Sequence, residues 1–177
     1  GAKLLGAQNL VEAIVVAESY NETLQGLDDQ RLSSGMMLTI NAGKSVLADL
    51  ESDVEAFDGA AVLLQKKAEL IDEIIIAQEL IEETQDFEEA KQVLDESMEE
   101  TITMANDSEA TAEELEAQIG TLQDAIKVFR EAIEGGALVA IENGDFEDDF
   151  NRWNSVTNVS WLPYIENLHL EIFFLLV

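Results

Sequence analysis

The chain has 177 residues, with nine basic against 38 acidic side chains and a net charge of −29. That length fits one domain or two small ones and is enough to bury a core without covalent staples. The charge excludes nucleic acid, whose binding rests on Lys and Arg neutralising phosphates, and disfavours anionic membranes, while basic partners and divalent cations stay open.

From Leu4 to Leu24 the positions Ala7, Leu10, Ile14, Ala17, Asn21 and Leu24 step by threes and fours, which is one face of a helix. Gly26 and Asp28-Asp29 end it. Ile40, Gly43, Leu47, Leu50, Val54 and Phe57 keep the same rhythm and predict a second helix over Leu32 to Phe57. Gly35 marks a break in it, and Gly43 a place where two helices approach closely. Asp58-Gly59 reads as its end.

A third helix is expected over Ala60 to Thr84. Leu64, Ala68, Ile71 and Ile75 lie on one line, and Leu70, Ile74, Ala77 and Ile81 on the next. An apolar face that wide touches more than one neighbour, which places this helix at the centre. Asp86 with Glu89 forms a capping-box-like start for a fourth helix, whose buried line is Phe87, Ala90, Leu94, Met98, Thr101 and Ala105. Thr111 with Glu114 is a capping box for a fifth, followed by Leu115, Ile119, Leu122, Ile126, Phe129 and Ile133. Gly135-Gly136 is expected to stop it.

The chain echoes itself. LVEAIVVAESYNETL (10–24) returns 60 residues later as LIDEIIIAQELIEET (70–84), with identities at Leu10/Leu70, Ile14/Ile74, Ala17/Ala77 and Glu22/Glu82. VLADLESDVEAF (46–57) resembles QIGTLQDAIKVF (118–129), matching Leu47/Ile119, Leu50/Leu122, Val54/Ile126 and Phe57/Phe129. Self-similarity of this kind signals a repeated supersecondary unit. Two related helical units are expected, 3–58 and 60–134, packed side by side or sharing the central helix.

After Gly136 the composition changes. Both tryptophans, the single Pro and the single His lie beyond residue 150. Ala137 to Val177, with its turn residues and short aromatic runs, reads as strand and loop. The predicted fold is therefore all-α: an antiparallel bundle of about five helices in two related units, with a short irregular or β C-terminal segment over 137–177. The apolar stretch Phe173 to Val177 suggests self-association through the tail.

Two family likenesses rest on these motifs. The paired acidic helices, with LVEAIVVAESYNETL, LIDEIIIAQELIEET and TAEELEAQIGTLQDAIKVF, resemble FIVAR-type repeats, helical modules of bacterial secreted and cell-surface proteins. ALVAIENGDFEDDFNRW (137–153) is similar to the first strand of a galactose-binding-like sandwich of the carbohydrate-binding-module kind. A lone strand cannot fold by itself, so this likeness implies either a longer parent protein or a tail packed on the helices. Together they imply an extracytoplasmic bacterial location and a protein or glycan partner. A structural Ca²⁺ near Glu147 is implied by the second likeness alone.

Candidate chemistry is sparse. Cysteine is absent, which removes disulfides, thiolate metal sites and a cysteine nucleophile. No secretory signal and no run of about 18 apolar residues is visible, and the start at Gly1-Ala2-Lys3 reads as a trimmed terminus. The carboxylates from Glu69 to Glu100 read as a solvated helix face rather than a Ca²⁺ site. Glu166 and His169 give one Glu-x-x-His spacing where a di-metal bundle needs two. Asp145, Glu147 and Asp149 open like an EF-hand loop, but Phe150 and Val156 occupy the positions that need Gly and Glu. Trp153, Trp161 and Tyr164 form a candidate sugar-stacking platform, weighed against a role plugging the end of the bundle. Asn21, Asn106 and Asn158 stand in glycosylation-type triplets read as chance. The expectation is a non-enzymatic spacer or docking module, with a carbohydrate-binding protein or an oligomeric assembly subunit as alternatives.

Overall fold

The computed structural model describes residues 1–142, and side chains through residue 136. Five helices follow one another: α1 (Ala2–Gln25), α2 (Gln30–Ala48), α3 (Val54–Glu83), α4 (Glu88–Ala105) and α5 (Ala112–Glu142). The described residues contain no strand, and the fold is an all-α bundle. Gly1–Ala132 make one compact unit.

The 3-4 rhythm of α1 becomes its buried line at Leu10, Ile14, Ala17, Asn21 and Leu24; at its start Gly6 is buried and the expected Ala7 only half-buried. Within that line Asn21 is satisfied by Ser33 Oγ, which donates to Asn21 Oδ1 at 3.0 Å. A buried Asn needs such a partner, and its burial removes it as a glycan acceptor. α2 returns antiparallel to α1, and the Gly43 backbone lies against Ile14 and Leu64.

The break in the second predicted helix is not where the periodicity put it. Gly35 is buried inside α2, and the chain leaves the helix at residues 49–53 instead. Three side chains make this turn. Asp49 Oδ1 accepts from Glu51 N–H at 3.0 Å, Ser52 Oγ donates to the Val46 carbonyl at 2.8 Å, and Asp53 caps α3 by accepting from Ala56 N–H at 2.9 Å. Short polar side chains offer the backbone alternative partners to the helix ladder, and here they win. Leu50, assigned to the buried line by its spacing, is 89 % exposed. Asp58-Gly59, read as a terminus, lies inside α3.

The first echo is structural and the second is not. Leu10/Leu70, Ile14/Ile74 and Ala17/Ala77 are all buried in helices. In contrast, residues 46–57 turn a corner while 118–129 run straight through α5, so Leu50 is solvated where Leu122 is fully buried.

α3 is central, and both of its apolar lines are used. Phe57 and Leu64 lie toward α1 and α2, with Phe57 against Gly6 and Leu64 beside Gly43. α4 packs antiparallel on α3 and also meets α2. α5 runs beside them: Gln118 donates to Thr101 Oγ1 at 2.9 Å, and Gln123 to Glu73 Oε1 at 2.9 Å. α1–α2–α3 and α3–α4–α5 are thus successive three-helix groups that share α3. Their registers repeat: α2 and α4 begin at residues 30 and 88, α3 and α5 at 54 and 112, each pair 58 residues apart.

Two helix ends depart from expectation. The Asp86–Glu89 capping box is not made; α4 starts after Phe87, whose φ of 68° puts a bulky residue in the left-handed region with no side-chain cap. That conformation costs an L-residue roughly 1–2 kcal/mol. The Thr111–Glu114 box forms in full, with Thr111 N–H donating to Glu114 Oε2 at 2.8 Å and Glu114 N–H to Thr111 Oγ1 at 3.2 Å. α5 does not stop at Gly135-Gly136 but continues to Glu142, so the stretch read as the first strand of the C-terminal segment is helical at its beginning. Gly135 has no positive φ, so the left-handed stop that a glycine can supply is not used there.

Candidate functional site

The side chains with the most specific surroundings gather where α2, α3 and α4 meet. Lys67 stands on α3 at the spacing of Leu64 and Leu70, and is 2 % exposed. Its Nζ donates to the Ala105 carbonyl at 2.5 Å. Ala105 is the last residue of α4, where carbonyls have no partner within the helix and the helix dipole is negative. The ammonium therefore caps α4 from inside the core. Burial lowers its pKa to about 8, with Asp107 pulling weakly the other way.

Gly35 approaches the same carbonyl from α2. A Cβ there would lie 2.7 Å from Ala105 O, so only glycine allows α2 and α4 to come this close. At the rim, Arg31 forms a two-sided clamp. It reaches Asp29 Oδ2 at 2.8 Å on one side, and Glu99 Oε2 and Oε1 at 2.7 and 3.0 Å on the other. Asn106 Nδ2 donates to the Arg31 carbonyl at 3.1 Å, and Gln78 donates to Asp29 Oδ2 at 2.9 Å. The Arg31 hydrogen bonds hold the Asp29 and Glu99 carboxyls below their ordinary range.

A second tie joins α1 to α3. Tyr20 OH donates to Asp72 Oδ1 at 2.5 Å, and partial burial, with Asp72 adding to it, pushes the phenol well up. These groups bind elements to one another. Among the described residues no buried side-chain nitrogen or oxygen lacks a hydrogen-bond partner, an arrangement that fixes helix positions.

The acidic run Glu69 to Glu100 is a largely solvated surface of α3 and α4, engaged by Lys66, Lys91 and Arg31. Among the described residues no three of His, Asp and Glu come together to hold an ion. Glu147, Trp153, Trp161 and Tyr164 lie outside the described residues, as do Glu166, His169 and the Phe173–Val177 stretch. Spacing alone could have found Lys67, which falls three residues after Leu64 and four before Ile71. Gly35 carried a signal too, but of close approach rather than a break.

No helix among the described residues is long and apolar enough to cross a membrane. No protein-family model, no curated protein and no solved structure matches this chain.

Proposed function

We propose that the chain is a non-enzymatic helical spacer or docking module of a bacterial secreted or cell-surface protein, working in a glycan-handling or adhesion context. One observation carries this reading: α3 belongs to two three-helix groups at once. A load or a displacement entering one group passes to the next through a continuous helix rather than a flexible linker. The acidic outer faces add solubility and a preference for basic or cation-bridged partners. The likeness of α1, α3 and α5 to FIVAR-type repeats supports the surface location.

The test is mechanical. The full chain is tethered at residues 1 and 132 and stretched in a force spectrometer. A spacer of this build releases the intervening helices in one event. Separate releases of two groups would remove the spacer reading. A glycan array run beside it tests the neighbouring idea. Glycan binding that disappears in Trp153→Ala, Trp161→Ala or Tyr164→Ala would replace the spacer with a carbohydrate-binding protein.

A further inference from the structure

The 60-residue echo equates more than the core line of α1 and α3. At the same spacing Leu4, Val11 and Val15 stand where α3 has Leu64, Ile71 and Ile75. On α3 this second stripe is covered: Leu64 and Ile71 are buried, Ile75 is half-buried, and Leu64 lies against the α2 backbone at Gly43, beside Ile14 of α1. On α1 the matching residues are 62, 48 and 57 % exposed. Single apolar residues on a surface are ordinary. Three at core spacing, on a helix whose internal relative buries two of the equivalent positions and half-buries the third, are not. α3 has two apolar lines and covers both; α1 covers one, and its second keeps three of the four apolar positions, with Gln8 standing where α3 has Ala68.

At Leu64 the second line of α3 is covered by the α1–α2 hairpin, through Ile14 and the Gly43 backbone. Charge points to the same kind of occupant. Residues 1–48 carry Lys3, Arg31 and Lys44 against Glu12, Glu18, Glu22, Asp28 and Asp29, while most of the carboxylates lie further along the chain. The stripe therefore sits on the less acidic N-terminal part of the described chain, where another helical pair meets less repulsion than it would along α3 to α5.

We propose that the Leu4–Val11–Val15 face of α1 is a docking surface for a helical hairpin of the α1–α2 kind, contributed by a further repeat of this unit. The inference stands on the α1–α3 equivalence and holds whatever the chain as a whole does. The hairpin covers α1 as α1 and α2 cover α3, which turns α1 into a second shared helix.

The absence of cysteine makes the test direct. Val15→Cys places a single thiol on the stripe, and Val93→Cys, at a 60 % exposed position on α4, places one away from it. Alkylation rates are measured in the 177-residue chain and in a chain with a second copy of residues 1–60 joined ahead of Gly1, which sets the 60-residue register. The expected result is at least a tenfold slowing at Val15→Cys on extension, and less than a twofold change at Val93→Cys. In parallel, Val11→Glu with Val15→Glu lowers the melting temperature of the extended chain and leaves that of the 177-residue chain in place. Unchanged alkylation overturns the proposal, and so does an extension that adds no helical circular dichroism. Concentration-dependent protection of Val15→Cys in the unextended chain, abolished by Val11→Glu, overturns it as well by giving the face to a second copy of the chain.

Discussion

The Nζ of Lys67 and the carbonyl of Ala105, 38 residues apart in sequence, meet at 2.5 Å inside the core. One end of a helix is thereby held by the middle of another. Because burial depresses the pKa of this lysine to about 8, the folded chain holds its proton less tightly than the unfolded chain does. Stability therefore rises with pH across the interval from about 8 to 10, by at most about 3 kcal/mol for a shift of this size. Tyr20 acts in the opposite sense above pH 10, because its raised pKa makes deprotonation favour unfolding. Urea unfolding at pH 7, 8, 9 and 10 checks this. Lys67→Met removes the rise; a slope that survives the substitution would assign it to other groups.

Gly35→Ala brings a methyl group against a backbone oxygen that cannot swing aside. The expected cost is about 1–3 kcal/mol, in the range of overpacked cores. Gly59→Ala and Gly120→Ala meet nothing within 4 Å, and both sit in helices. Each should stabilise by roughly 0.5–1 kcal/mol through helix propensity. Opposite signs in one set of thermal melts are the result to look for.

The two predicted capping boxes separate cleanly under substitution. Thr111→Ala removes the hydrogen bond to Glu114 N–H and should cost about 1 kcal/mol. Asp86→Ala touches no cap, because the left-handed Phe87 stands in the cap position ahead of α4, and should stay within about 0.5 kcal/mol of the parent. An equal loss at both sites would mean that Asp86 acts through a contact other than capping.

Arg31 predicts the acid limb. Asp29 and Glu99 have folded pKa values below their unfolded ones, so the stability they contribute is complete above the ordinary carboxylate range and is lost as pH falls through the folded values. Arg31→Ala should cost on the order of 0.5–1 kcal/mol at neutral pH, since the clamp is half exposed. It should also make the decline below about pH 4 shallower, because the ordinary carboxylate range ends there. Denaturant midpoints from pH 5 to 3 measure both effects.

Leu50 and Leu122 show how far periodicity can be trusted. The spacing puts both on buried lines and pairs them across an internal echo. Leu122→Ala should cost about 2–5 kcal/mol and Leu50→Ala almost nothing, since only the first is enclosed. The lines of α1, α3, α4 and α5 were legible because burial follows the helical period over many turns. The corner at 49–53 was hidden because three polar side chains decide it, and their bonds to the backbone do not disturb the apolar rhythm. The run of α5 past Gly135-Gly136 was hidden for the converse reason: a glycine pair punctuates only when the chain needs a left-handed residue there. Of the candidate site, Lys67 sat in plain view on a core line. Its partner did not, because a carbonyl 38 residues away leaves no mark on local spacing.

The sharing of α3 also governs how such a chain can grow. A design joined by linkers adds whole three-helix bundles and can stop at any multiple of three. A chain in which the last helix of one group is the first of the next adds two helices at a time. Its helices therefore number three, five or seven, never four or six, and an insertion or deletion of one helix would reverse the direction of everything beyond it. Duplications are then heritable only in steps near 58 to 60 residues, the interval already written into the spacing of α1 with α3, of α2 with α4 and of α3 with α5.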